Sequence, residues 1–277
     1  MTPQYDRIFG FRVIEQLGSG ARTAIYRAQN KRGEELALKH LVVRSKADKR
    51  CLMQMRREHS VAQQLAHPGI RNTHRLRVRR GPFRVSEAVL IMELVNGESL
   101  DKAETRSLQE TMNLMLQIAE ALASMHRAGW VHGDLKPTNL VVSQDDIALI
   151  DLGQAARAGS KKERVQGTPG FMAPEQLHRG EITPRTDIFG FGATLYWALT
   201  RSHIPTVIDS DRSERGAVAS QRLGRPPGPV PLSERRKDVP PELSALVNRC
   251  VAYEPRNRPA GFSAILGALA SINYPKE

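Results

Sequence analysis

The sequence predicts an α+β protein in two lobes, on three observations. Strand patterns dominate the first third, over residues 9–43, 74–80 and 85–95, with a single helical stretch at 46–66 between them. After Asn96-Gly97 the pattern turns helical, at 109–128, 186–200, 241–251 and 260–272. No internal repeat breaks this division. Strands and helices segregated along 277 residues read as one domain of two lobes. The expected parts are a small β-rich N-lobe with one main helix at about 9–92, a hinge at about 93–97, and a larger, mainly helical C-lobe at about 98–272.

Phe11, Val13 and Leu17 lead into Gly18-Ser19-Gly20, a turn, and Ile25-Tyr26-Arg27-Ala28 resumes the strand character. Lys31-Arg32-Gly33-Glu34 turns the chain into Leu36-Ala37-Leu38-Lys39. Met53, Arg57-Glu58, Val61 and Leu65 then recur at helical spacing, and His67-Pro68-Gly69 stops that helix. Gly81-Pro82 separates the next two strands. In 109–128, Met112, Met115-Leu116, Ala119, Leu122-Ala123 and His126 mark one face of a long amphipathic helix, closed by Gly129. Short strands are expected at 140–142 and 147–150, a loop at 154–170, and an irregular proline-rich connector at 201–240.

Apolar residues make up 40% of the chain, ordinary for a globular protein. No apolar run approaches the roughly 18 residues a membrane helix needs, and MTPQYDRIFG lacks the basic and apolar regions of a signal peptide. Cys51 and Cys250 do not make a disulfide framework, so a reducing cytoplasm is the expected compartment. The formal net charge is +12 and the pI about 10.1, a statement about partners rather than fold. In RNTHRLRVRRGPFR, 71–84, Arg75, Arg77 and Arg79 share one strand face with Leu76 and Val78 on the other. That face is a solvated surface or a docking site for an acidic partner; nucleic acid is the less favoured reading.

Three stretches carry chemistry. In LGSGARTAIY, 17–26, glycines let backbone N–H groups approach phosphate oxygens with no Cβ in the way, but a plain hairpin turn uses the same residues. Lys39, alone, reads as a surface lysine; Glu58 on the following helix supplies a carboxylate to hold it towards a phosphate. HGDLKPTN, 132–139, precedes ALIDLG, 148–153. Asn139 and Asp151 offer hard oxygen ligands suited to Mg²⁺ shared with nucleotide phosphates. Asp134 is placed to accept a hydroxyl proton, and Lys136 to neutralise charge on the transferred group.

In this order and spacing the motifs resemble the protein kinase family over about residues 11–270. The resemblance implies a bilobal kinase fold and transfer of the γ-phosphoryl group of ATP to serine or threonine of a protein substrate, with Mg²⁺. By it, Gly18 and Gly20 cover the phosphates, Ile25 and Ala37 contact the adenine, and Lys39, held by Glu58, grips the phosphates. Met92 becomes the gatekeeper, and the backbone of Glu93 and Val95 binds the adenine edge. Asp134 and Lys136 are catalytic, and Asn139 and Asp151 hold the metal. GTPGFMAPE (167–175), Asp187 and Arg258 match the large-lobe supports, with Arg258 expected to pair with Glu175; Lys136 and Thr168 point to the serine/threonine branch.

Three departures stand out. Thr23 replaces the third glycine of the phosphate loop, which is expected to stiffen it. Gly133 replaces the arginine that usually pairs with an activation-loop phosphate, so activity independent of such phosphorylation is expected; Ser160 is the one hydroxyl of 154–166. HGD-x-x-x-x-N also resembles aminoglycoside and choline phosphotransferases, which leaves a small-molecule substrate as one alternative. A catalytically silent scaffold is the other, although Lys39, Asp134, Asn139 and Asp151 are all present.

Overall fold

The computed structural model describes residues 5–20, 22–81, 84–205 and 228–273. These fall into two compact units: Met1–Asn96 with Asp151–Gly153, and Gly97–Ile150 with Gln154–Glu277. The α+β class expected from the sequence is borne out.

The first unit is built on an antiparallel six-stranded sheet. Its strands are β1 (Arg7–Ile8), β2 (Phe11–Ser19), β3 (Ala24–Gln29), β4 (Glu35–Val42), β5 (Thr73–Arg80) and β6 (Val85–Met92), in the order β1-β2-β3-β4-β6-β5. Both faces of its centre are buried. Leu38, Val89 and Ile91 join Phe11, Val13 and Tyr26 in one cluster, while Ala37, Leu41, Ala88, Leu90 and Met92 join Leu52 and Met55 in the other. This is the period-two alternation of β4 and β6 expressed as packing. Leu52 and Met55 come from α1 (Lys46–Ala62), which starts in a capping box: Ser45 Oγ accepts the Asp48 N–H, and the Asp48 carboxylate accepts the Ser45 N–H. The helix ends four residues before the expected 66. The Gln64 and Leu65 N–H groups bond to Val61 O and Ala62 O, three residues back, so the last carbonyls close in tight turns rather than another α-turn.

The second unit contains β7 (Glu98–Ser99), α2 (Leu108–Arg127), β8 (Trp130–Val131), β9 (Leu140–Val142), β10 (Ile147–Leu149), β11 (Ala156–Arg157), β12 (Ser160–Lys161), α3 (Pro174–Leu177), β13 (Glu181–Ile182), α4 (Pro184–Thr200), α5 (Leu232–Arg235), α6 (Pro241–Cys250) and α7 (Phe262–Ser271). α2 also begins in a capping box, Ser107 with Glu110, and its Ala128 cap is followed by Gly129 at φ +77°. α4 is buried nearly all round, from Thr186 to Leu199, and forms the centre of a core shared with α2, α6 and α7.

Two expectations need correction. Residues 154–170 are not a plain loop: β11 pairs with β8, and β12 with β13. Their hydrogen-bond partners lie far away in sequence, so no local periodicity announces them. The 201–240 stretch contains α5, whose Leu232 is buried in the α4 core; residues 206–227, with part of the Pro-rich run, lie outside the described residues, as does Pro82. Among the described residues, no helix is long and apolar enough to cross a membrane.

Candidate active site

In the first unit, β4 and α1 bring a lysine and a glutamate together. Lys39 Nζ donates to Glu58 Oε2 at 2.7 Å and to Asp151 Oδ1 at 2.9 Å. Glu58 sits on the same stripe of α1 as Leu52, Met55 and Val61, and is 1% exposed. A carboxylate buried there needs partners. It has two, because Arg71 Nη2 donates to its Oε1 at 3.0 Å. Arg71 corrects the reading of 71–84 as a surface run: its first arginine is buried and belongs to this network. Nothing in the sequence distinguishes it from the arginines that follow.

Burial works against the Lys39 ammonium, yet the carboxylates of Asp151 and Glu58 outweigh it and hold its pKa above the usual lysine range. Desolvation likewise opposes the Asp151 carboxylate, and the Lys39 ammonium outweighs it, keeping Asp151 ionised well below the usual carboxylate range. Asp151 keeps 41% of its side chain open to water, which tempers both effects. Its backbone is in the left-handed region at φ +62°, a strained position for a residue with a Cβ. Its Oδ1 also accepts the Gly153 N–H at 3.3 Å.

The phosphate-loop candidate is the turn between β2 and β3. Gly18 stands opposite Ile25, and Ile25 opposite Lys39 on the next strand. The Gly20 N–H donates to Thr23 O at 2.7 Å, and a Cβ on Gly20 would stand 3.0 Å from Thr23 Oγ1. Thr23 thus occupies the space that Gly20 leaves. Ala37 faces Met92 across β4 and β6, and both are buried. Beyond β6, the Glu93 N–H donates to Asn72 O and the Glu93 carboxylate accepts the Asn72 N–H, which fixes the start of the Glu93–Val95 stretch.

In the second unit, Asp134, Lys136 and Thr168 converge. Lys136 Nζ lies 3.0 Å from Asp134 Oδ2 and donates to Thr168 Oγ1 at 2.6 Å; the Thr168 hydroxyl donates to Asp134 Oδ1 at 2.8 Å. A short 3₁₀ turn, Pro137–Asn139, places Asn139 so that its Nδ2 donates to Asp134 O at 2.8 Å. That bond leaves Asn139 Oδ1 as the free end of the amide.

The backbone of this loop hangs from α4. Asp187, 1% exposed, accepts the His132 N–H on Oδ2 and the Gly133 N–H on Oδ1, each at 2.8 Å, and His126 Nε2 lies 2.7 Å from Oδ2. Burial raises the pKa of Asp187, but His126, His132 and the Gly133 N–H together hold it below the usual range. On the other side, Gln176 Nε2 donates to Gly133 O at 2.8 Å and to Gln166 O at 3.0 Å. Gln176 is a buried support the sequence reading did not single out. Gly133 has φ +74°, so the residue read as a missing arginine is one suited to a left-handed backbone. Arg258 forms a bidentate pair with Glu175, at 2.8 and 2.9 Å, and spends its remaining donors on the carbonyls of Arg185, Ala252 and Tyr253.

The family model described as protein kinase domain matches residues 11–268. Among curated proteins, the chain is 28% identical to a "probable serine/threonine-protein kinase" of Clostridium acetobutylicum, over 95% of this chain and 40% of that protein. It is 27% identical to serine/threonine-protein kinase PknA of Mycobacterium tuberculosis, over 95% of this chain and 61% of that protein. It is 30% identical to serine/threonine-protein kinase PknB of Mycolicibacterium smegmatis, over 93% of this chain and 42% of that protein. The chain therefore spans between 40% and 61% of the length of these relatives. A match that runs from β2 into α7 covers most of the sequence, and on it the chain belongs to the protein kinase family.

Proposed function

We propose that this chain is a serine/threonine protein kinase that moves the γ-phosphoryl group of ATP to hydroxyls of a protein substrate. The observation that carries this reading is the Asp134–Lys136–Thr168 cluster. Asp134 already accepts a hydrogen bond from one hydroxyl, that of Thr168, with an ammonium alongside. A substrate serine or threonine calls on the same chemistry. Asp134 orients the hydroxyl and accepts its proton, and Lys136 balances charge on the transferred group. Lys39, held by Glu58 and Arg71, grips the nucleotide phosphates, with the backbone of Gly18 and Gly20 over them. Ile25, Ala37 and the backbone of Glu93 and Val95 take the adenine.

Among the described residues, no three or more His, Cys, Asp or Glu gather as a metal site. Asn139 Oδ1 and the Asp151 carboxylate are hard donors of the kind that suits Mg²⁺. They would hold Mg²⁺, which supplies charge neutralisation at the phosphates. The pairing of Glu175, in the 167–175 segment, with Arg258 favours a protein acceptor over a small molecule.

Independence from activation-loop phosphorylation has its own support. Residues 154–162 are tied down by contacts of their own: β11 pairs with β8, the Arg157 guanidinium lies 4.1 Å over Trp130 and donates to Ala128 O, and Lys162 donates to Gln154 O. Incubation with γ-labelled ATP and Mg²⁺ tests both claims, with a generic basic protein, an aminoglycoside and choline as competing acceptors. The expected result is label on serine or threonine of the protein, unchanged by phosphatase pretreatment or Ser160→Ala. Label on a small molecule alone would refute the acceptor class, and a large loss in Ser160→Ala would refute the independence.

The exposed arginines of β5 fit an acidic partner. Arg79 pairs with Glu87 and lies over Phe9, and the Arg77 guanidinium lies 5.7 Å over Phe11; Arg75 and Arg77 are both exposed on an edge strand. Reversing both charges should abolish capture of an acidic extended peptide at physiological salt; unchanged capture would count against this surface. Free Cys51 and Cys250 suit a cytoplasmic protein.

A further inference from the structure

The phosphate loop is tied to α1 by an ion pair that the catalytic residues do not use. Arg22, at the tip of the β2–β3 turn, donates from Nη1 to Asp48 Oδ1 at 2.8 Å and stands 3.5 Å from Ser45 Oγ. Asp48 is the capping-box residue of α1. Its Oδ2 accepts the Arg44 N–H, the Ser45 N–H and the Ser45 hydroxyl at 2.7–2.9 Å, so its position is fixed before Arg22 arrives. Its side chain is 8% exposed, whereas that of Arg22 is 45% exposed. The carboxylate is the rigid member of the pair and the arginine the one that is caught. The Ser45 hydroxyl, the Arg44 N–H and Arg22 together keep Asp48 ionised well below the usual carboxylate range.

The same helix carries Glu58 ten residues further on, about 15 Å along the axis at 1.5 Å per residue. Leu52 and Met55, between the two, are buried in the sheet core, so Asp48 and Glu58 sit on one packed helix. Helix position is thus read at two points: by Asp48 at the loop tip and by Glu58 at Lys39.

We infer that Arg22 is a positioning residue that latches the phosphate loop to α1 through Asp48, coupling the placement of the loop's Gly18–Gly20 backbone to the Lys39–Glu58 pair. The role rests on the nucleotide-binding reading of that loop. Loss of the latch frees the tip while the helix cap, the core and Lys39 stay in place. The effect falls on nucleotide affinity, not on the fold.

The test compares Arg22→Ala, Arg22→Lys, Asp48→Asn and the Arg22→Ala/Asp48→Asn double variant by two readouts. The first is amide hydrogen exchange of residues 18–24 in the protein without nucleotide. Arg22→Ala should raise it with the melting temperature unchanged, and Arg22→Lys should restore protection. The second is affinity for Mg²⁺ with a non-hydrolysable fluorescent ATP analogue. Arg22→Ala should weaken it about three- to tenfold, the scale of a hydrogen-bonded, half-exposed ion pair, and the loss should shrink in 0.5 M salt. In the Asp48→Asn background, Arg22→Ala should add little further. Unchanged exchange at 18–24 would overturn the latch. A full additional loss in the Asp48→Asn background would show that Arg22 meets the phosphates directly and would overturn the positioning role. Failure of the unaltered chain to bind the analogue would sink the nucleotide-site reading and the coupling built on it, while the exchange data would still decide whether the latch exists.

Discussion

Replacing Asp134 by alanine is expected to lower phosphoryl transfer to protein by about 10²–10⁴-fold, the usual contribution of a positioned general base. The loss should appear in kcat, with nucleotide affinity unchanged, because Lys39, Glu58 and Asp151 form their network without Asp134. Thr168→Val supplies the finer arm. It removes the hydroxyl that donates to Asp134 and accepts from Lys136, leaving those two 3.0 Å apart with no third group to space them. The expected outcome is a smaller loss than in Asp134→Ala, and little further loss when both changes are combined, since the three groups act as a unit. Steady-state kinetics on the four proteins decides it. Additive losses would mean that Thr168 serves something other than the orientation of Asp134 and Lys136.

The candidate site residues are easier to pick out in the sequence than the groups that support them, for a physical reason. Lys39 alone reads as a surface lysine; Lys39, Glu58, Asp134, Lys136, Asn139 and Asp151 stand out only together, through the order and spacing of their motifs. Glu58 interrupts the apolar stripe of α1, and Asp151 stands two residues past an apolar strand and two before Gly153. Arg71 was lost in a basic run because its burial depends on where α1 and β5 leave it, and composition does not carry that. β11, β12 and α3 were missed for a related reason. Each is four residues or fewer; β11 and β12 pair with strands far away in the chain, and α3 is held by Gln176 to Gly133 O and by Glu175 to Arg258, not by periodicity. The long helices α1 and α2 are legible because their apolar stripes and stop signals are local, and α4 because its apolar run is nearly continuous. Gly133 is the instructive case. The sequence shows the arginine that is absent, whereas the structure shows the backbone conformation that is present, φ +74° between two hydrogen-bonded supports.

That conformation sets the scale of a second large effect, at Asp187. Asp187→Ala is expected to destabilise the second unit by about 3–5 kcal/mol, because it leaves the His132 and Gly133 N–H groups and His126 buried with no acceptor. Asp187→Asn keeps the shape and one acceptor oxygen, so about 1–3 kcal/mol should be lost. Gly133→Ala probes the same support from the other side. A Cβ there would meet Gln154 O at 3.5 Å, an ordinary contact, so its cost is that of a left-handed backbone alone, about 1–2 kcal/mol. Urea unfolding of the three variants should place them in that order. Acid gives an independent check. The folded-state pKa of Asp187 is depressed, so its contribution is present above the unfolded value of about 3.9 and lost as pH falls through the folded one. The difference in stability between the unaltered chain and Asp187→Asn should therefore be constant near neutrality and narrow below about pH 4. Activity should follow stability only in part. The Asp187 carboxylate holds the His132 and Gly133 amides rather than the Asp134 side chain, so a folded Asp187→Asn protein should lose kcat by misplacing the loop while keeping its affinity for nucleotide. A variant that lost affinity and kept kcat would contradict the assignment of Asp187 to the catalytic loop.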